Sequence, residues 1–188
     1  MNTIYKLSLA VVAGILMLSS SCKKDDPVIP HEEELITTLI YTLTPVAGGT
    51  AVEMTFRDLD GDGGNAPVIT GGTLQANTVY NGSLKLLNES EAPAEDITEE
   101  IEEEDHHHQF FFSVAGGLEM DISYADQDSD GRPLGLLTTV DAGNVSSGQL
   151  TITLRHEPNK SAAGVADGDI TNAGGETDIE VTFDVDIE

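Results

Sequence analysis

Tryptophan is missing, cysteine occurs once, and basic residues number 8 against 34 acidic ones. Each scarcity excludes something. With no tryptophan and 5% aromatic residues, a core must rest on Val, Ile and Leu and on the Phe110-Phe111-Phe112 run. One cysteine cannot build an intramolecular disulfide framework. A formal charge of −26 excludes nucleic acid as a partner, because phosphate must be met by basic patches. It also disfavours lying flat on an anionic membrane. No apolar run reaches the ~20 residues that span a bilayer. Catalytic signatures are missing too. His31-Glu32-Glu33-Glu34-Leu35 lacks the second histidine of a zinc-protease helix, and no Gly-x-Ser-x-Gly elbow or phosphate loop occurs. The sequence therefore argues against an enzyme.

What is present begins with an export signal. Residues 1–21 combine Lys6, an apolar stretch from Leu7 to Leu18 and the small residues Ser19, Ser20 and Ser21 ahead of Cys22, the three parts of a secretory signal. Ser21-Cys22 resembles a bacterial lipobox, which implies cleavage before Cys22 and its lipidation. Residues 22–33 then read as a tether, with Pro27 and Pro30 keeping it extended. Loss of residues 1–21 removes Lys6 and no acid, leaving 34 acids against 7 bases, a charge of −27 over 167 residues. That length suffices for one domain with its own core. The lipid has to supply the membrane attachment. Positive partners such as metal cations suit the body, although acidic charge also serves solubility alone.

The periodicity from residue 34 to 188 predicts an all-β fold, an immunoglobulin-like β-sandwich. Residues 36–43, 51–57, 118–124 and 149–155 are β-branched and largely alternating. In residues 177–187, Ile179, Val181, Phe183, Val185 and Ile187 share one face while acids and Thr182 take the other, as in a strand with one dry and one wet face. Gly-Gly pairs at 48–49, 71–72, 116–117 and 174–175 mark turns. Residues 95–104 carry the one helical pattern, and their acid density favours a solvated loop or strand edge. The chain also repeats itself: Val46-Ala-Gly-Gly49, Glu53-Met54 and the Asp58 loop recur as Val114-Ala-Gly-Gly117, Glu119-Met120 and the Asp126 loop. Asp96-Ile-Thr98 returns as Asp169-Ile-Thr171. Pseudo-repeats over about 34–98 and 99–157, with a C-terminal strand, fit one sandwich with internal pseudo-symmetry. Two small immunoglobulin-like modules are the alternative.

Two loops share the spacing Asp-x-Asp-x-Asp-Gly: Asp58, Asp60, Asp62 and Asp126, Asp128, Asp130. Alternate carboxylates at this spacing converge on one point while glycine lets the chain turn, which suits calcium. The twelfth positions hold Ile69 and Leu137 where an EF-hand has glutamate, and each loop follows a strand. A calcium-stapled strand loop is the expectation. Asp/Gly-rich turns that hold no metal are the alternative.

The second constellation is the acidic run 99–105 leading into His106, His107 and His108. If a strand begins at His106, then His106 and His108 share a face by period two. With Asp105 as third ligand they suit zinc, copper or another transition ion better than calcium. His31-Glu32-Glu33-Glu34 opens the first half in the same style, making His31 a candidate partner if the halves pack symmetrically. His156-Glu157, at a strand end, is the one further site of this kind. A solvated acidic loop moderated by histidines is the alternative.

Cys22-Lys-Lys-Asp-Asp26 resembles the signal by which Bacteroidota lipoproteins reach the outer face of the outer membrane. With the acidic, strand-rich body and its Glu-Glu-Asp-His segment, the chain looks like small flavobacterial-type lipoproteins labelled "type 1 periplasmic binding fold superfamily protein". That label implies alternating helices and parallel strands, whereas this sequence offers strands and turns. The expectation is a surface-exposed outer-membrane lipoprotein binding metal cations, with a TonB-dependent transporter as candidate partner. The alternative is a calcium-stabilised surface module that contacts a protein or glycan and transports nothing.

Overall fold

The β-branched, alternating stretches form strands arranged in two sheets. In the computed structural model, which describes residues 34–61, 64–90 and 92–188, the chain runs β1 (Thr38–Pro45), β2 (Val52–Arg57), β3 (Val68–Thr70), β4 (Gly72–Leu74), β5 (Thr78–Asn88) and β6 (Glu95–Asp96). Helix α1 (Ile97–Glu103) follows, then β7 (His108–Ala115), β8 (Met120–Tyr124), β9 (Leu137–Ala142), β10 (Ser146–His156) and β11 (Glu176–Ile187). Cys22, the export signal and the tether lie outside the described residues, as do His31 and Asp62. No helix among the described residues is long and apolar enough to cross a membrane.

One sheet has the order β3-β2-β1-β5-β9-β8, with β6 beside β5, and the other has the order β4-β11-β10-β7. Pairing is antiparallel except for β4 with β11. The dry faces meet in a core of Leu39, Tyr41, Leu43, Met54, Leu84, Leu86 and Val140 from the first sheet. From the second come Phe110, Leu150, Ile152, Leu154, Val181, Phe183 and Val185. The all-β sandwich expected from the sequence is the observed architecture. A second small cluster of Phe111, Val165 and Ala173 lies on the opposite face of β7 from Phe110, by strand alternation.

The acidic stretch near residue 100 differs from the loop or strand edge that its composition suggests. Ile97 and Ile101, one helical turn apart, are both buried, and their packing holds Ile97–Glu103 as helix α1. The Asp96 side chain caps it by accepting from the Thr98 amide, and Glu99 and Glu100 stand in the first turn, where negative charge suits the helix dipole. Burial of two isoleucines outweighs the repulsion among carboxylates that point to water.

The sequence repeat is used twice in different ways. The first Val-Ala-Gly-Gly turn joins β1 to β2 within one sheet, whereas the second joins β7 in one sheet to β8 in the other. Asp96 and Asp169 play one local role at both places, each accepting the amide two residues on to start a short helical segment.

Candidate metal centre

The ends of three neighbouring strands meet at one end of the inter-sheet core. His108 opens β7 and pairs with His156, which closes β10. By alternation both point to the core side, in line with Phe110 and Leu154. Beside them β11 contains a bulge: Leu154 faces Ile179 and Arg155 faces Thr177, so Asp178 is the extra residue. A bulge turns a side chain out of the alternating pattern. The Asp178 carboxylate is fully buried although period two assigns it to the wet face. Arg155 pins this bulged end by donating to the carbonyls of Gly174 and Gly175 and to the Thr177 hydroxyl. Glu34, on the segment leading into β1, closes the group from the other sheet.

Glu34, His108, His156 and Asp178 each offer a ligand atom, and these atoms all lie within 4.8 Å of one another. His108 Nε2 is 2.9 Å from Glu34 Oε1 and 3.8 Å from Asp178 Oδ2. His156 Nδ1 is 3.3 Å from Glu34 Oε2 and 3.6 Å from Asp178 Oδ1. Each carboxylate therefore faces both imidazoles. These separations bracket the ~3.4 Å edge of a tetrahedron with Zn–N and Zn–O bonds of about 2.1 Å. The side chains are 0% exposed for His108 and Asp178, 8% for Glu34 and 9% for His156, so the group is closed to solvent. The imidazole rings meet edge to face, centroids 4.7 Å apart.

Electrostatics and support are both visible. Burial alone would raise the Glu34 carboxyl, but the His108 hydrogen bond and the charges of His108 and His156 prevail and hold it at about 2. Burial pushes His108 down, and Glu34 with Asp178 more than reverses this, leaving it above its ordinary value. The Nδ1 of His108 lies 3.2 Å from the Glu104 carbonyl at the end of α1. A proton on Nδ1 donated there leaves the Nε2 lone pair facing the carboxylates, the arrangement in which histidine binds a metal.

The residues singled out from sequence are distributed unevenly around this centre. His108 is part of it, as is Glu34 from the His31–Glu34 run. The strand begins at His108 and not at His106, because Asp105–His107 form a 3-10 turn. His106 and His108 therefore do not share a strand face. His106 is half-exposed beside Asp105, whose carboxylate accepts the Ser129 amide and hydroxyl. His156 was readable as a strand-end histidine. Asp178 carries no sequence signal beyond the Gly174-Gly175 turn before it, because a bulge is invisible to the alternating pattern.

The Asp loops use their carboxylates locally. Asp58 accepts the Gly61 amide, and Asp60 accepts the amide and side chain of Asn65. In the second loop Asp126 accepts the amides of Gly135 and Leu137, and Asp130 pairs with Arg132. Asp128 takes the amides of Asp130 and Arg132 on one oxygen and the Lys160 ammonium on the other, at 2.8 Å. Lys160 is buried and gives its other two protons to the carbonyls of Asp105 and Pro133. All three of its donors are matched, so Asp128 is committed to an ammonium while Asp126 and Asp130 face other partners. Burial pulls Lys160 below its ordinary value, partly offset by Asp128. Among the described residues, Glu34, His108, His156 and Asp178 are the convergent group of three or more such side chains.

Comparison with family models, with curated proteins and with solved structures finds no match for this chain.

Proposed function

We propose that this chain is a lipid-anchored, surface-exposed outer-membrane protein whose sandwich holds one divalent transition-metal ion through Glu34, His108, His156 and Asp178. The observation that carries the reading is the convergence of two imidazoles and two carboxylates from four separate segments inside a closed end of the core. Two carboxylates so placed repel each other, and a divalent cation relieves that repulsion as no solvent can at this burial. Zinc fits best, since a tetrahedral set of nitrogen and oxygen donors suits it. Calcium wants six to eight oxygens, and copper(II) a square arrangement.

Four protein ligands and near-complete burial are the marks of a structural site, because a catalytic site keeps a position open. The ion is accordingly resident: it staples the β1 end of one sheet to β7, β10 and β11 of the other, and the protein is no enzyme. Among the described residues the Asp loops take no part, since the carboxylates of Asp58, Asp60, Asp126, Asp128 and Asp130 are committed to amides, Asn65, Arg132 and Lys160. The immunoglobulin-like form of the sandwich belongs to the same proposal, supported by two facing sheets of mainly antiparallel strands. A capture role for a TonB-dependent transporter is the second reading, favoured by the exposed His106 and His107 beside the centre.

The test is elemental analysis of the natively purified full chain, followed by zinc titration after chelation. About one ion per chain is expected. His108→Ala with His156→Ala should abolish it, and His106→Ala should leave it intact. Absence of any copurifying metal, with no zinc binding to the chelated chain, would sink the proposal.

A further inference from the structure

A centre whose ligands are 0–9% exposed poses a kinetic question: an ion in bulk water cannot touch the buried nitrogens in one step. The chain neighbours of the two buried histidines are both ligand types, and both reach the surface. His107 precedes His108, and Glu157 follows His156. Their side chains are 32% and 56% exposed, and they face each other with His107 Nδ1 3.9 Å from Glu157 Oε1. The His106 ring lies beside them, its centroid 4.0 Å from that of His107.

The backbone brings this outer pair together at the end of the same ladder. The Glu157 amide donates to the His107 carbonyl at 2.6 Å, one step beyond the His108–His156 pair. Glu157 itself has a left-handed backbone, φ 50°, a conformation that is unfavourable for a non-glycine residue. It is kept there while Gly175 packs on the His156 carbonyl so closely that a Cβ would overlap it. Successive Cα atoms are about 3.8 Å apart, so the outer and inner pairs differ by a single residue on each strand.

We infer that His107 and Glu157 form a surface entry site that captures a divalent transition ion and passes it to the buried centre. The inference rests on the metal reading above and adds a second, transient site to it. Outer ligands raise the local concentration of the ion and replace part of its hydration shell before the inner ligands engage. Because an entry site lowers one barrier, it speeds loading and release by the same factor and leaves the final affinity unchanged.

Stopped-flow uptake of zinc chloride by the chelated full chain tests this, with release into excess chelator as the reverse measurement. The variant is His107→Gln with Glu157→Gly, the glycine keeping the left-handed backbone. Asp186→Asn, about 30 Å away at the far end of β11, matches its change in net charge. Loading and release should both slow by about tenfold or more in the double variant, with stoichiometry and affinity as in the parent, while Asp186→Asn behaves as the parent. His107→Gln alone should show part of the slowing, and circular dichroism verifies the fold of each variant. Parent-like rates in the double variant would overturn the entry site while leaving the buried centre standing. Slowing equal to that of Asp186→Asn would do the same, assigning the effect to overall charge. Loss of equilibrium affinity would overturn it by making the outer pair part of the centre. A parent chain that takes up no zinc would remove both readings.

Discussion

At the residue scale, Glu34 and His108 tie stability to pH in opposite directions. The Glu34 carboxyl is lowered to about 2, so its contribution is complete above its unfolded value near 4.5 and is lost as pH falls toward about 2. His108 is raised, so its contribution is complete below its unfolded value near 6.5 and is lost as pH climbs through the higher folded value. In the presence of chelator, the pair should stabilise the fold most between those unfolded values. Thermal melts across pH for the parent and for His108→Gln check this: the difference in melting temperature should be largest inside that window and shrink on either side. A difference that stays flat with pH would mean that the pair is not ionised as described. The same two residues show what the sequence could reveal. Acid- and histidine-rich runs at 31–34 and 99–108 stood out by composition, and His156-Glu157 by its place at a strand end. Asp178 could not stand out, because its inward turn depends on a bulge set by Arg155 and the Gly174-Gly175 turn. The expected His106 ligand rested on where β7 begins, and a 3-10 turn moves that start by two residues.

At the element scale, alternation marked strands at 36–43, 51–57, 118–124, 149–155 and 177–187, yet it missed the short β3, β4 and β6 and also β9, and it could not tell which sheet each strand would join. Residues 68–74 show why. Val68–Thr70 pairs with β2 in one sheet, and Gly72–Leu74 pairs in parallel with β11 in the other. The crossing turns on Gly71, where a Cβ would overlap the Asp184 carbonyl oxygen of β11. Nothing in the local pattern distinguishes this Gly-Gly pair from the turn glycines at 48–49. Gly71 lacks the positive φ of Gly48, so its requirement is one of space alone. Gly71→Ala should therefore destabilise the protein by about 1–3 kcal/mol, the usual cost of forcing a methyl into a packed site. Urea denaturation measures this, and an unchanged midpoint would show that β3 and β4 can separate from β11 without loss. The helix at Ile97–Glu103 was hidden for the opposite reason. Its seven residues carry four acids, and what holds it is the burial of Ile97 and Ile101 in the core, a tertiary effect that the local pattern does not show.

At the scale of the whole molecule, a charge of −26 works against compactness, and any cation relieves part of it. General screening and a specific centre are separable because they depend differently on concentration. Screening requires salt near 0.1 M, where the Debye length is about 10 Å, and it does not distinguish calcium from magnesium. Occupation of a centre requires only that zinc exceed its dissociation constant. Binding to the folded state alone then adds about 4 kcal/mol at a thousandfold excess over that constant. For a domain of this size the gain is on the order of 10 °C in melting temperature. A small stoichiometric excess of zinc over the chelated chain should therefore raise the melting temperature by that order, and chelator should reverse it. Calcium or magnesium at the same concentration should do little. His108→Ala with His156→Ala should lose the zinc response while keeping the parent's response to sodium chloride, since it leaves every carboxylate in place. If calcium at that concentration matched zinc, or if the double variant kept the zinc response, stabilisation would belong to the acidic surface and not to the staple between the sheets.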